Sequence, residues 1–331
     1  MKLHLVIARI VPLLLLLAAC SSGVGGPGGP KPPPPGSAGR LIAYGTSYIH
    51  TFDLRAGEEW TERLSYSAPW STVTVAPATH EVLIANTSGS EPVTIEVFDS
   101  TTFGLDEAFE WPNSTSISDV YVLAATHDGR YLALVMDEIM SDPFLEILDR
   151  QTGTIVYLGA SLVAGSKMAW TADDELVMAA DLAYLGDPET WGALVSFPLQ
   201  TFLDSTNGDI SGTVLTYFTR AEWGDGVSGL ALSPDASELD FQRGSDLWVM
   251  DAQPGAEPHQ LTTGPSSLHN AVFSPDGQFL AVAAGGTYGL DETYIIPNHR
   301  QAPIYLEHGQ GGDEYLLEPN TLVDGMLLWQ P

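Results

Sequence analysis

Residues 227–264 read VSGLALSPDASELDFQRGSDLWVMDAQPGAEPHQLTTG, and residues 269–306 read HNAVFSPDGQFLAVAAGGTYGLDETYIIPNHRQAPIYL. Each stretch divides into four short segments that are rich in β-formers and separated by turn residues, which predicts four strands. The string Ser274-Pro275-Asp276-Gly277 predicts a hairpin turn, because proline presets φ, aspartate bonds the local backbone and glycine closes the turn. Pro234 and Asp235 stand at the matching point of the other stretch. The two stretches are therefore copies of one β-unit.

The same unit recurs through the chain from residue 40 onward. The first strand and its turn recur as VTVAPATH, VYVLAATHDG and KMAWTADD, and the second strand recurs as LIAYG, VLIANT, YLALVM, LVMAAD, LDFQRG and FLAVAAG. The third strand is clearest as YIHTFDLRAG, TIEVFDSTTFG, FLEILDRQTG and LWVMDAQPG, with degenerate versions at 193–199 and 293–299. The turns after the first strands recur at intervals typical of propeller blades with loop insertions. Their aligned positions are Pro77, His127, Ala172, Pro234, Pro275 and Pro331.

The two ends of the repeat region complement each other. The first unit begins directly with a second strand at Leu41, whereas VDGMLLWQP at 323–331 resembles an isolated first strand in which Trp329 matches Trp170 and Phe273. Pairing the two ends completes one blade and removes the exposed sheet edges of a linear array. The sequence predicts an all-β fold: a six-bladed β-propeller of four-stranded antiparallel blades over residues 40–331, closed by its C-terminal strand.

The first residues have the pattern of an exported protein. Lys2 and Arg9 precede an apolar run that ends in LAAC at Cys20, and this run is too short to span a membrane as a helix. The segment resembles the signal peptide and lipobox of bacterial lipoproteins, which implies cleavage after residue 19 and lipid attachment to Cys20. A secretory signal with an incidental cysteine is the alternative. Ser21 after the cysteine implies, by the same resemblance, the outer membrane where the organism has one.

A linker follows, from residue 20 to residue 39. Between 21 and 39 the chain reads SSGVGGPGGPKPPPPGSAG, which cannot bury a core. Its reach lies between about 24 Å as a coil and about 59 Å as polyproline II. We expect this tether to hold a folded domain away from a membrane.

The chain is strongly acidic. Without Lys2 and Arg9, 10 of the 12 lysine and arginine residues remain against 42 acidic residues. Such a surface repels phosphate backbones, which argues against nucleic acid as a partner. Solubility or salt adaptation is one explanation of the acidity, and an acidic face that attracts cations or basic partners is the other.

The SPDG turns and third strands resemble the TolB-like, WD-like propeller repeats of bacterial envelope proteins, and residues 227–306 carry the likeness best. That resemblance implies six blades and a surface that binds proteins. The chain departs from TolB in its lipid anchor and in lacking the α/β domain that precedes the TolB propeller, so TolB's partners do not carry over. Related propellers gate prolyl oligopeptidase-type enzymes, but no hydrolase domain follows here.

Catalytic and metal motifs are largely missing from the sequence. It contains no G-x-S-x-G elbow, H-E-x-x-H or P-loop string, and Cys20 is the only cysteine. The string DSTNGD at 204–209 resembles the start of a calcium loop but lacks the bidentate glutamate of the full motif, so an ordinary turn explains it better. We predict no catalytic residue, and calcium is the one cofactor considered.

The longest loop insertions predict a binding face. They join second to third strands or lead into first strands, and they lie at 137–143, 181–189, 220–226, 285–292 and 309–324. Aromatic and acidic residues on such loops suit a peptide, a sugar or a cation. The alternative is that the tryptophans pack between blades and the acidic residues are only solvated. The candidate binding residues are Trp70, Trp111, Trp223, Asp137, Asp142, Asp187, Asp225, Asp291 and Glu292.

Three hypotheses of function follow. The first is a monomeric, non-catalytic envelope module that binds a protein or peptide. The second is a propeller-type hydrolase or lactonase with a divalent cation in the central channel, and the third is a polysaccharide-binding module.

Overall fold

A computed structural model gives the fold of the repeat region. It describes residues 39–45, 48–54, 61–65, 72–87, 92–114, 117–138, 143–160, 168–181, 190–205, 210–224, 226–264, 267–285, 291–298, 302–306, 316–319 and 325–331. The predicted signal peptide, Cys20 and most of the tether lie outside these residues. No helix among the described residues is long and apolar enough to cross a membrane.

Strands dominate the described residues. They are β1 (Arg40–Gly45), β2 (Tyr48–Asp53), β3 (Thr61–Ser65), β4 (Thr72–Ala76), β5 (Glu81–Asn86), β6 (Thr94–Asp99), β7 (Leu105–Glu110), β8 (Ile117–Ala125), β9 (Tyr131–Glu138), β10 (Phe144–Asp149), β11 (Thr154–Ala160), β12 (Met168–Trp170), β13 (Glu175–Asp181), β14 (Thr190–Pro198), β15 (Thr213–Thr219), β16 (Val227–Leu232), β17 (Glu238–Arg243), β18 (Asp246–Asp251), β19 (His259–Gln260), β20 (Thr262–Thr263), β21 (Ser267–Phe273), β22 (Phe279–Gly285), β23 (Asp291–Pro297), β24 (Ile304–Tyr305), β25 (Leu316–Pro319) and β26 (Gly325–Gln330). Two short helices, α1 (Leu199–Asp204) and α2 (Arg220–Gly224), lie before and after β15.

Six four-stranded antiparallel sheets form the blades of a propeller, which confirms the predicted fold class. The sheets are β26-β1-β2-β3, β4-β5-β6-β7, β8-β9-β10-β11, β12-β13-β14-β15, β16-β17-β18-β19 and β21-β22-β23-β25. We number them blade 1 to blade 6 in that order. The first blade joins the two ends of the repeat region, because β1 pairs with β26 in a register that sets Leu41 opposite Trp329. The predicted ring closure is therefore confirmed.

Side chains of the inner strands are buried, and those of the outer strands are more exposed. The second strand of blade 6, β22, reads FLAVAAG and buries five successive residues, because neighbouring blades cover both of its faces. The fourth strand of blade 2, β7, reads LDEAFE and is exposed along nearly its whole length. The apolar residues of the inner strands form clusters between adjacent blades, so that the core is a ring of blade interfaces.

The outer edge of blade 6 differs from the expectation. The segment at 302–306 was expected to be the fourth strand of that blade, and 309–324 was expected to be a loop. Instead, β25 within that predicted loop pairs with β23, while β24 pairs in parallel with β20. The N–H of Ile304 donates to the carbonyl of Leu261 over 2.9 Å, so the 302–306 segment follows blade 5. The physical reason is that β19 has only two residues and leaves backbone groups beside it that need partners.

Candidate functional site

A hydrogen-bonded turn explains the repeated SPDG string. The Ser274 hydroxyl donates to the Asp276 carboxylate over 2.6 Å, and it accepts the N–H of Phe279 at 2.9 Å. The Asp276 carboxylate also accepts the N–H of Gln278 at 3.1 Å. These bonds satisfy the turn's backbone locally and hold Pro275 at the tip.

Two other blades build the same turn from related residues. In blade 5 the Ser233 hydroxyl donates to Asp235 over 2.8 Å, and in blade 3 the Thr126 hydroxyl donates to Asp128 over 2.8 Å. Hydroxyl and amide donors lower the pKa of Asp235 to about 2, and a backbone amide lowers the pKa of Asp128 as well. These carboxylates are therefore charged at neutral pH.

The turns between the first and second strands of blades 2 to 6, together with the last residues of blade 1, meet around one pocket on the propeller axis. Its volume is about 340 Å³. The six turn positions aligned from the sequence all line it, together with side chains from the ends of the first strands. The lining consists of Pro77, His80, His127, Trp170, Thr171, Ala172, Leu232, Ser233, Pro234, Ala236, Val272, Phe273, Pro275, Leu328, Trp329, Gln330 and Pro331. We call this cavity the axial pocket.

The walls of the axial pocket are apolar and aromatic. Trp170, Phe273 and Trp329 come from three different first strands, and prolines from four blades surround them. The lining contains no aspartate or glutamate side chain, and such carboxylates are the ligands that calcium prefers. The pocket is thus suited to an apolar group rather than to a divalent cation.

Acidic side chains stand around the pocket without lining it. Asp128, Asp173, Asp235 and Asp276 are exposed and belong to the turns of four different blades. Each of them directly follows a turn residue that lines the pocket, and Asp128 also lines a separate surface pocket with Arg130 and Arg150. We call these four carboxylates the acidic rim.

The N-terminal end of the domain lies beside the axial pocket. The N–H of Leu54 donates to the carbonyl of Gly39 over 2.9 Å, which fixes Gly39 at the start of β1. A Cβ atom on Gly39 would overlap the carbonyl oxygen of Gln330, a residue that lines the pocket, so this close approach needs glycine. The chain therefore enters the propeller on the face that carries the pocket.

The candidate loop residues that the structure describes belong to the opposite end of the blades. Trp111 is 1% exposed, and its indole N–H donates to the Glu146 carboxylate of the neighbouring blade. Glu292 is also buried and accepts a hydrogen bond from the Tyr294 hydroxyl. These two side chains are packed inside the propeller and are not part of an exposed face.

Asp137 is partly exposed and lies next to the last residue of β9. Its carboxylate accepts a hydrogen bond from the Tyr121 hydroxyl at 2.7 Å and another from the N–H of Asp119 at 3.1 Å. The hydrogen bond from the Tyr121 hydroxyl raises the pKa of Tyr121. Trp70, Asp142, Asp187 and Asp225 lie outside the described residues, as do the side chains of Trp223 and Asp291. The structure brings none of the described candidates together, and the loop face stays a prediction.

Among the described residues, no group of three or more His, Cys, Asp or Glu side chains is arranged to hold a metal ion. Most of the calcium-like string at 204–209 lies outside those residues. The axial pocket itself escaped the sequence reasoning, although its signal was present: the aligned turn residues are prolines, and Trp170, Phe273 and Trp329 share one repeat position.

Six blades around an axial pocket define the class of this protein as a six-bladed β-propeller. Among solved structures, its fold is similar to the crystal structure of TolB from Acinetobacter baumannii, with a TM-score of 0.54 and 15% sequence identity. The match covers 79% of this chain and 64% of that chain, so the chain spans less than two thirds of the TolB structure. The expected TolB-like fold is confirmed.

A second similar structure is Kuenenia stuttgartiensis hydrazine synthase, with a TM-score of 0.49, 14% identity, and coverage of 77% of this chain and 78% of that chain. No protein-family model matches the sequence. No curated protein matches it at a significant level.

Proposed function

We propose that this protein is a lipid-anchored lipoprotein of the cell envelope whose propeller binds a peptide or protein segment without catalysis. The axial pocket is the single observation that carries the binding role. A rigid ring of blades presents an apolar, aromatic cavity of about 340 Å³, which is the size range of small-ligand sites and accepts one or a few apolar side chains.

The surroundings of the pocket support a peptide as its ligand. Aromatic residues at the centre of a desolvated pocket are typical binding hot spots. The acidic rim favours a partner segment with a positive charge beside its apolar residues, and it accelerates the encounter with such a partner at low ionic strength. The loop face at the other end of the blades, with Trp70, Trp223 and its acidic residues, is proposed as a second contact surface on the strength of its sequence.

The anchor rests on the sequence of the first 39 residues. The basic start, the apolar run and LAAC at Cys20 support export and lipidation, and the tether supports a domain held off a bilayer. Since several acyl chains bind a membrane far more firmly than one chain, attachment would be stable. Ser21 supports the outer membrane where one is present.

Peptide selection against the mature chain tests the binding role. Peptides from a displayed random library should bind the chain, and Ala172→Arg should weaken them about tenfold or more, because a long charged side chain enters the pocket mouth. Ala78→Arg is the matched control. Ala78 is an exposed turn residue of blade 2, and its side chain does not line the pocket. Selected peptides that bind both variants equally well would exclude the axial pocket as the site.

Membrane fractionation tests the anchor. The unaltered chain should sediment with membranes, Cys20→Ser should appear in the soluble exported fraction or be retained unprocessed, and Ser21→Ala should leave sedimentation unchanged. A Cys20→Ser chain that is processed and sediments like the unaltered chain would refute lipidation.

A further inference from the structure

The axial pocket lies where the N-terminal tether joins the folded domain. The Arg40 guanidinium donates to the Gln330 side-chain oxygen over 3.1 Å and to the carbonyl of Ser100 over 3.0 Å, so the first residue of β1 is clamped to the last strand. Gln330 and Pro331 both line the pocket. Gly39, the point at which the preceding segment joins the domain, therefore lies at the pocket's edge.

Chain length allows the proline-rich part of the tether to reach the pocket. Residues 30–35 read PKPPPP and end four residues before Gly39. At about 3.1 Å per residue in polyproline II, their distance from Gly39 along the chain runs from about 12 Å to about 28 Å. This span lets the chain turn back across the pocket mouth.

The chemistry of the segment matches the chemistry of the pocket. Polyproline segments dock into grooves lined by aromatic side chains, and they lose little conformational entropy on binding because their backbone is already restricted. Trp170 is partly exposed and supplies such a wall, whereas Phe273 and Trp329 line the pocket but are each 3% exposed. Lys31 is the only charged residue between 20 and 39, and it stands inside the proline run, where the acidic rim would face it.

We infer that residues 30–35 of the tether occupy the axial pocket of their own chain, with Lys31 against the acidic rim. This inference rests on the proposed role of the pocket as a peptide site and names its first occupant. A partner segment must then displace the tether, and the docked tether holds the pocket face close to the anchor. Displacement would lengthen the free tether and let the domain move further from the membrane.

Zero-length crosslinking tests the docked arrangement on the mature, lipidated chain in detergent. A water-soluble carbodiimide activates a carboxylate, and the amine of Lys31 then forms an amide bond with it while the carbodiimide leaves as a urea. Lys31 and Lys167 are the only lysines after Cys20, so mass spectrometry assigns the products clearly. We expect crosslinks from Lys31 to Asp128, Asp173, Asp235 or Asp276.

A variant of equal length separates docking from random collision. Replacing Pro32, Pro33, Pro34 and Pro35 by alternating Gly and Ser keeps Lys31 at the same chain distance but removes the polyproline segment. The crosslink yield should fall about tenfold or more, which corresponds to about 1.4 kcal/mol of docking free energy. Ala172→Arg should lower the yield in the same way, and Ala78→Arg should not.

Three results would overturn the inference. They are a yield unchanged by the Gly and Ser replacement, crosslinks spread evenly over acidic residues away from the rim, and crosslinks between chains in a mixture of isotopically light and heavy protein. The last result would assign the pocket to the tether of a second copy.

Peptide affinity distinguishes this inference from the proposed function. If both hold, a selected peptide binds the Gly and Ser variant more tightly than the unaltered chain, because no tether competes. Equal affinity for the two chains keeps the peptide site and refutes the docked tether. If no peptide binds either chain but the rim crosslinks form, the docked tether stands and the partner-binding role fails.

Discussion

Asp240 occupies a position that other blades fill with apolar residues. It pairs with Ala231 in blade 5, and the residues at the same step from the turn are Ala281 in blade 6 and Ala133 in blade 3. Asp240 is 0% exposed, and neither carboxyl oxygen makes a well-formed hydrogen bond, although the backbone of Ala231 lies close enough to favour its charged form slightly. Burial raises the pKa of Asp240 well above its ordinary value. A buried carboxyl group without a good partner opposes folding.

We predict that Asp240→Ala stabilises the protein by about 1–3 kcal/mol at pH 8, since it removes an unsatisfied buried polar group. An acid whose pKa is raised in the folded state holds its proton there, so the wild-type chain loses stability as the pH rises from about 4 through that raised pKa. The gain from Asp240→Ala should therefore grow with pH. Urea denaturation at pH 4.5 and pH 8 measures it.

Asp240→Asn serves as the control for charge. It keeps the size of the side chain but cannot titrate, so its stability relative to Asp240→Ala should not change between the two pH values. If Asp240→Ala is instead less stable than the wild-type chain at pH 8, the carboxylate makes a favourable interaction in the folded state.

At the scale of elements, ion pairs of one arginine join the turn after β10 to blade 2. The Arg150 guanidinium contacts the Glu81 carboxylate at 2.7 and 3.0 Å and the Glu107 carboxylate at 2.8 Å. The side chains of Arg150 and Glu81 are 17% and 18% exposed, so water screens this pair less than a surface pair. The two carboxylates raise the pKa of Arg150 above its ordinary value. The contact ties two blades together outside their apolar interface.

Removing this cation should loosen the junction between blades 2 and 3. We predict that Arg150→Met destabilises the chain by about 2 kcal/mol, between the values typical of exposed and of buried ion pairs, because two carboxylates lose their shared partner. Chemical denaturation of Arg150→Met, Glu81→Gln and the double variant forms a cycle that isolates the pair. A coupling energy near zero would show that the contact contributes nothing to the blade junction.

At the scale of the whole molecule, the ring depends on one strand from the far end of the chain. β26 supplies the innermost strand of blade 1, and Trp329 is 3% exposed in a cluster with residues of blades 1 and 6. The Gln330 side chain also donates to Ser100 of blade 2 over 2.8 Å. The last strand therefore contacts both neighbours of its blade.

Loss of Trp329 should weaken the closure of the ring, and loss of the whole last strand should open it. We predict that Trp329→Ala lowers the free energy of unfolding by about 3–5 kcal/mol. Removal of residues 325–331 should abolish cooperative unfolding, because it exposes the edge of β1. Trp191→Ala is the control, since Trp191 is only half-buried beside Arg220 and lies away from the closure, so its loss should be smaller. Thermal and urea unfolding provide the measurements, and equal losses for the two tryptophans would refute a special role for the closure.

The repeat made most of the blades predictable from the sequence. Strand bounds follow from the period-2 pattern and from the hydroxyl-Asp turns, because both are local properties of a few consecutive residues. The sequence did not predict β25. Two segments, 302–306 and 316–319, could form the fourth strand of blade 6, and the outcome depends on where unpaired backbone groups lie nearby. A linear sequence does not show that competition.

The candidate binding face stays a prediction, and Trp111 follows the alternative in which a loop tryptophan packs between blades. Trp111 was placed in a loop that precedes a first strand, but its side chain turns inward to Glu146 of the next blade. The axial pocket lies at the other end of the blades from the loops that the sequence favoured. Loop length and exposed-residue chemistry are weak guides here, because the direction of a side chain depends on its neighbours in space.

The sequence by itself determined the number of blades, the closure by the last strand and the residues of the axial turns, because each follows from a repeat and its missing part. It also predicts a tether and a lipidated cysteine at its start, and both stay predictions. Only the tertiary structure decided that these residues meet around an apolar pocket, that Gly39 lies at its edge, and that Asp240 is buried. These three facts depend on distances between residues far apart in the chain, which arise only when the blades close into a ring.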